Sequence, residues 1–291
     1  MSISAAQVKA LRERTGAGMM ECKKALTETG GDLEAAVEFM RKAGFAKADK
    51  RSVRTAAEGR IALAANGKAA ALVEINSETD FVAAGQDLAI FADAVAALVL
   101  AAAPTDVEEL SALHLPKGGT VDAARRELVA KLGENIAVRR IARLATETGV
   151  IGRYLHGIRI GVLVELEGGD EELAKDVAMH VAASRPVCVT PEHLPADLLA
   201  REREIHRAQA EASGKPPAIV AKMIEGRMAK YANEIALTGQ PFVKDPDRTV
   251  GALLESKGAR IHGFARFEVG EGIEKEETDF AAEVMAQARG R

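Results

Sequence analysis

An alternating run that passes directly into a helix cap constrains this chain more than any other stretch. Ala71-Leu72-Val73-Glu74-Ile75-Asn76 has the two-residue period of a strand. Ser77-Glu78-Thr79-Asp80-Phe81-Val82-Ala83 follows at once and opens a long alanine-rich helical pattern reaching about residue 103. Thr79 and Asp80 are residue types that cap a helix start, accepting hydrogen bonds from backbone N–H groups that would otherwise lack partners. A Phe directly after such a cap either packs under its own helix or points outward from the fold. Near the other end, Glu277-Thr278-Asp279-Phe280-Ala281-Ala282 nearly repeats the wording.

The surrounding pattern predicts an α+β protein of more than one domain, since 291 residues exceed what one core usually organises. Residues 2–45 read as three short helices, separated at Thr15-Gly16-Ala17-Gly18 and at Gly30-Gly31. Ser4 with Gln7 makes a capping box, and Asp32 caps the third helix. Met19 and Met20 are adjacent, so they cannot both face one core. One of them projects toward a partner or is only partly buried, and methionine adapts to either setting. Residues 46–58 show little apolar periodicity and read as a linker, either irregular or partly helical, whose basic run 47–54 is a solvated segment or an RNA contact. A hairpin over 60–76 turns at Asn66-Gly67, a pair suited to a type I′ turn. Residues 104–120 hold Pro104, Pro116, Gly118 and Gly119 and read as an irregular excursion. A helix over 121–132 and a strand over 137–145 follow. The order strand, turn, strand, helix then recurs over 152–183, suggesting two similar halves. From 191 to 237 two charged periodic helices flank Ser213-Gly214-Lys215-Pro216-Pro217, a helical hairpin inserted before strand patterns resume. Pro241-Phe242-Val243, a helix over 249–257 and a strand over 259–269 complete the second half. An acidic helix begins near Thr278.

Composition narrows the function classes. Aromatics are 3% and Trp is absent, which disfavours a surface that reads nucleic acid by stacking. The net charge of −4 argues against a general polyanion binder. Residues 1–54 nevertheless carry 11 Lys and Arg against 7 Asp and Glu. Cys22 and Cys188 imply no disulfide framework, and no apolar run suits a signal core or a bilayer span, so a cytoplasmic setting without membrane contact is expected. There is no P-loop, GxSxG, HExxH or paired CxxC. His156 stands at a predicted strand end beside Tyr154 and Gly157, but no nucleophile accompanies it. An enzyme is the least favoured class, and no cofactor or metal is expected.

Several motifs together resemble the elongation factor Ts family, nucleotide exchange factors for the GTPase elongation factor Tu. They are Leu11-Arg12-Glu13-Arg14-Thr15-Gly16-Ala17-Gly18-Met19-Met20, Thr79-Asp80-Phe81-Val82-Ala83, and Lys131-Leu132-Gly133-Glu134-Asn135-Ile136. Tyr154-Leu155-His156-Gly157, Leu237-Thr238-Gly239-Gln240-Pro241-Phe242 and Phe267-Glu268-Val269-Gly270-Glu271-Gly272 continue the match in the family's order. Residues 104–120 exceed the family's usual length.

The resemblance implies a ubiquitin-associated-like three-helix domain over 1–54 and two similar α/β subdomains over 55–146 and over 147–189 with 238–268. It further implies an inserted helical hairpin over 190–237, a dimerisation device in some relatives, and a C-terminal module over 269–291. Thr79, Asp80, Phe81 and Val82 would disturb the partner's Mg²⁺ site, with Phe81 as a wedge between helices of its nucleotide-binding domain. His156 would contact a second partner domain. Arg12, Met19, Met20 and Lys23 would hold a helix of the GTPase, supported by Val243 and the C-terminal module, and Leu132 would pack near that surface. Direct nucleic-acid binding is not expected. The competing readings are an RNA- or ribosome-associated protein using residues 47–54 with Arg139, Arg140 and Arg143, and an adaptor acting through its N-terminal helices.

Overall fold

The computed structural model describes residues 3–116, 118–212 and 216–274. Three helices come first: α1 (Ala5–Thr15), α2 (Met19–Glu28) and α3 (Leu33–Arg51). Ser4 and Gln7 form the reciprocal capping box, and the Asp32 side chain accepts from Ala35 N–H. Val8, Leu11, Cys22, Ala25, Leu26 and Ala36 form a small core among the three.

The expected linker is helical as far as Arg51 and non-helical over residues 52–57. α3 continues to Arg51, and Ala48 is fully buried in the main core. Tertiary partners hold these turns where periodicity is weak. Lys47 pairs with Glu21, Asp49 with Arg126, and Arg51 donates to the Val129 carbonyl. The Lys47 ammonium holds the Glu21 carboxyl below the usual carboxylate range. Arg54 reaches Glu78 at 3.5 Å. Much of the basic run is therefore engaged within the fold.

Strands β1 (Glu58–Ala65) and β2 (Ala69–Ser77) pair antiparallel, followed by α4 (Asp80–Ala84), α5 (Gln86–Ala102), α6 (Val107–Ala112), α7 (Val121–Leu132) and β3 (Ile136–Ala145). Two local expectations fail. Neither Asn66 nor Gly67 adopts positive φ, so the turn is not type I′. The Asn66 side chain instead accepts from Lys68 N–H and Ala69 N–H, an Asx arrangement that closes the hairpin without a left-handed residue. The excursion at 104–120 is also more ordered than expected. Asp106 caps α6, whose Leu110 is fully buried, and Leu113 and Leu115 pack against the same core.

The second unit repeats the plan with β4 (Val150–His156), β5 (Ile160–Glu167) and α8 (Glu171–Ser184). The hairpin α9 (Ala196–Glu211) and α10 (Pro217–Ile235) then intervenes, closed over Ala210, Ile224 and Met228. Short β6 (Pro241–Phe242) and β7 (Asp245–Thr249), α11 (Val250–Ser256) and β8 (Arg260–Glu268) finish the unit. Nothing in the sequence pattern announces β7, because Asp245, Pro246 and Asp247 show no apolar alternation.

The sheets run β1-β2-β3 and β4-β5-β8, with β6-β7 as a separate pair, all antiparallel. Every residue of β2 is buried, unusual for an antiparallel strand, because both faces are covered. Val73 and Ile75 face α5 and α7, whereas Leu72 meets Leu163 and Phe267 of the second sheet. The two sheets thus pack face to face with helices outside. Their approach is close: a Cβ on Gly161 would lie 2.6 Å from Ile61 Cγ2.

At this junction sits a buried carboxylate. Glu74 is fully buried, pairs with Arg139 and Arg140, and accepts from Gly270 N–H at 2.9 Å. Arg140 also reaches the Glu268 carbonyl at 2.9 Å and Glu271 at 3.3 Å. The first sheet thereby fastens the chain leaving β8. Residues from 275 onward, including the near-repeat Thr278-Asp279-Phe280-Ala281-Ala282 and most of the expected C-terminal module, lie outside the described residues. Among the described residues, no helix is long and apolar enough to cross a membrane.

Candidate functional site

Thr79 caps α4 with extended backbone, its side chain accepting from Val82 N–H. This helix is one turn long, because Gly85 leaves helical geometry and restarts the chain as α5. The long helix read from the sequence is therefore broken. Ala83 anchors the turn in the core, and Val82 packs partly against it. Phe81 then points away, 85% exposed, the most exposed Phe among the described residues. Asp80 is exposed beside it.

The turn is held from below. Gly133 ends α7 at φ 84°, a left-handed cap that reverses the chain and aims Glu134 at Thr79. Glu134 accepts from the Thr79 hydroxyl at 2.7 Å and from Thr79 N–H at 3.1 Å. Asn135 N–H donates to Glu78 at 2.6 Å, while the Asn135 amide donates to the Arg54 carbonyl at 2.7 Å. Arg60 reaches the Ala83 carbonyl at 3.3 Å. Leu132 is half-buried and packs against the core beneath this end of α7.

His156 belongs to the same end of the molecule. It closes β4 and is exposed, its Nδ1 lying 3.2 Å from the Tyr154 hydroxyl. The turn after it docks on the first sheet. The Ile158 carbonyl accepts from Ile61 N–H at 2.7 Å, and Arg159 pairs with Glu58 at 2.8 Å. Glu58 is the strand partner of Ser77, so the His156 turn and the Phe81 turn leave the same edge of the β1–β2 hairpin.

Met19 and Met20 are 60% and 75% exposed, so both project from the start of α2. Arg12 and Lys23 are exposed on the neighbouring helix faces. The Gly16 turn lies against the Lys131 stem, and Lys131 pairs with Asp87 at 2.7 Å, which brings the head of α2 toward the end of α7. Val243 stands apart. It is 45% exposed, its N–H donates to His180 Nδ1 at 3.2 Å, and no hydrogen bond or ion pair among the described residues links it to residues 77–84. His180 is fully buried on α8, and burial pushes its pKa below the ordinary histidine value. The neutral ring then accepts from Val243 through Nδ1 and donates to Gln240 through Nε2 at 3.0 Å.

Glu78, Glu134 and Asn135 were not singled out from the sequence as site residues. The available signal is an acidic residue immediately after a helix-ending glycine, where a short reach to a neighbouring cap is possible.

The family model described as Elongation factor TS matches residues 78–271. "Elongation factor Ts" of Methylococcus capsulatus is 66% identical over 291 residues, covering 99% of each chain. The proteins of that name in Thioalkalivibrio sulfidiphilus and Alkalilimnicola ehrlichii are 59% and 60% identical over the full length of each chain. A match of this extent, spanning the exposed Phe turn and the residues that hold it, leaves one assignment: the chain belongs to the elongation factor Ts family.

Proposed function

We propose that this protein is a guanine-nucleotide exchange factor for elongation factor Tu, acting by protein contact and without covalent chemistry. The observation that carries the reading is Phe81, 85% exposed on a one-turn helix whose base is hydrogen-bonded to Glu134. A large apolar side chain held out in water by an anchored turn suits insertion into a partner.

The energetics follow from linkage. A factor that binds the nucleotide-free GTPase more tightly than the loaded form weakens the nucleotide's hold by the same factor. Asp80 beside Phe81 places negative charge where contacts to Mg²⁺ and phosphate are to be disturbed. Burying one Phe contributes roughly 1.5–3 kcal/mol, about one to two decades in affinity. Phe81 alone is therefore insufficient, and His156, Arg12, Met19, Met20, Lys23 and Val243 supply the remaining contacts. Leu132 supports this face from its half-buried position.

In the corresponding division of labour, residues 1–54 are a ubiquitin-associated-like recognition domain and residues 55–146 carry the wedge. The second subdomain, 147–189 with 238–268, carries His156 and Val243. The hairpin over 190–237 is a surface for self-association, with Ile205 and Ile219 half-exposed on its two helices. Residues 269–291 form a C-terminal module that adds partner contacts. The RNA-binding alternative is weakened by the internal partners of Lys47, Arg51, Arg54, Arg139 and Arg140.

Release of labelled GDP from elongation factor Tu, followed by stopped flow, tests the reading. The protein accelerates release, and Phe81→Ala slows the accelerated rate by about one to two decades while leaving the unfolding midpoint unchanged. Stimulation that persists in full with this variant removes the wedge role.

A further inference from the structure

We infer that Glu134 is the positioning residue of the Phe81 turn, acting through the Thr79 hydroxyl to set the direction in which α4 presents Phe81. The inference rests on the exchange reading above and adds to it a residue that does not itself meet the partner through the wedge.

The chemistry is a matter of one hydrogen. A threonine hydroxyl has one proton and two lone pairs. As a helix cap, Thr79 must offer a lone pair to Val82 N–H, a contact of 3.4 Å and therefore weak. Left alone, the hydroxyl rotates, and the cap competes with water at this partly exposed site. Glu134 ends that freedom. Its Oε1 accepts a hydrogen bond from the hydroxyl at 2.7 Å, and its Oε2 accepts from Thr79 N–H at 3.1 Å. The hydroxyl proton is then directed at the carboxylate, and a lone pair is left for Val82. One carboxylate thus fixes both the backbone of Thr79 and the rotor of its side chain. Two charge-assisted hydrogen bonds to adjacent donors also define an angle, which one bond would not.

The neighbouring contacts show that this clamp sets orientation as well as holding the turn. The Ser77 hydroxyl donates to the Thr79 carbonyl at 3.0 Å. Glu78, which accepts from Asn135 N–H, also faces Arg54. Glu78 and Thr79 are therefore gripped by consecutive residues, Asn135 and Glu134, from the chain leaving α7. Phe81 itself has 85% of its surface free. Its direction is inherited from the cap two residues earlier.

A double-mutant cycle on stimulated GDP release tests the assignment, with unfolding midpoints measured in parallel. Glu134→Ala slows release at saturating protein roughly tenfold, the scale of a net charge-assisted hydrogen bond. The midpoint shifts by no more than about 4 °C. Glu134→Gln, which keeps the shape but replaces one acceptor with a donor, gives a smaller loss. Thr79→Val slows release comparably, and Glu134→Ala adds a clearly smaller loss in the Thr79→Val background than it causes alone, because only the bond to Thr79 N–H is left to remove. Thr79→Ser, which keeps the hydroxyl, retains most of the rate. Additive losses, or full activity of Glu134→Ala beside a slow Phe81→Ala, overturn the positioning role alone. If Phe81→Ala is also fully active, the wedge role fails with it, and if the unaltered protein does not accelerate release, the exchange reading fails.

Discussion

The two sheet-and-helix units share a plan and differ just after the middle strand, at the Phe81 turn. In each, a hairpin leads to a helix and a third strand returns beside the middle one, giving the orders β1-β2-β3 and β4-β5-β8. The middle strands shift register against the third strand at Glu74/Ile75 and at Glu165/Leu166. Helices α5 and α8 both end in a non-glycine residue at positive φ, Ala103 and Arg185, each followed by proline. After the middle strand the units diverge. β5 leads through Gly168 and Gly169 to the Asp170 cap of α8, whereas β2 leads through Thr79 into the extra turn α4 before α5 begins. Phe81 lies on that added turn. The comparison teaches that the exposed aromatic is an elaboration of a plan that packs well without it.

The glutamates at the two register shifts sharpen the contrast most. Glu74 is fully buried between two arginines, while Glu165 is half-buried and makes no ion pair with any described residue. Glu74→Ala is expected to cost about 3 kcal/mol, since it strands partly buried guanidinium groups and the Gly270 N–H. Glu165→Ala is expected to cost under about 1 kcal/mol. Urea unfolding of both variants decides the point, and equal losses would break the distinction.

The caps give the next contrast. Thr79→Val and Asp170→Ala each remove a side chain that accepts from the helix N-terminus, and each is expected to cost about 1 kcal/mol of stability. Only Thr79→Val slows GDP release. Comparable slowing by both would mean that the cap acts through general stability, and that α4 has no special part.

The smallest expected effect concerns how the second unit fastens its edge. Where the first uses a charged cluster at Glu74, the second holds Gln240 and Val243 with neutral His180. Its folded pKa lies below the unfolded value, so its stabilisation is complete above the ordinary histidine pKa, about 6.5. It is lost as pH falls through the folded value, because the folded state binds the proton less readily. The ion pair of Lys244 with Asp176, at 2.6 Å, borders the site. The unfolding midpoint of the intact chain therefore drops on acidification below neutrality. His180→Gln flattens that part of the decline, and an unchanged profile would remove His180 as its source.

Much of this architecture was legible residue by residue. Alternation from Ala71 to Asn76, caps at Ser4, Asp32 and Thr79, and the break between α9 and α10 each have a local cause, so each can be read locally. Failures occurred where a long-range contact overrode the local signal. The last turns of α3 lack periodicity but are held by Glu21, Arg126 and Val129. Residues 107–112 look irregular beside two prolines, yet Leu110 has a core to enter. Asn66-Gly67 suits one turn type, and the strand geometry around it selected another.

The same division holds at the candidate site. By itself the sequence determined that a Phe follows a cap at the end of a strand, that catalytic motifs are missing, and which family's order of motifs the chain follows. It left open whether Phe81 turns inward or outward, because a cap sets where a helix begins and says nothing of which neighbours cover its first turn. Tertiary structure decided that. With Ala83 taken into the core, Gly85 breaking the helix and Glu134 arriving from α7, residue 81 is left facing water. Glu134 is 55 residues from Thr79 along the chain, beyond the reach of any local pattern, and the core that takes Ala83 is assembled from distant segments.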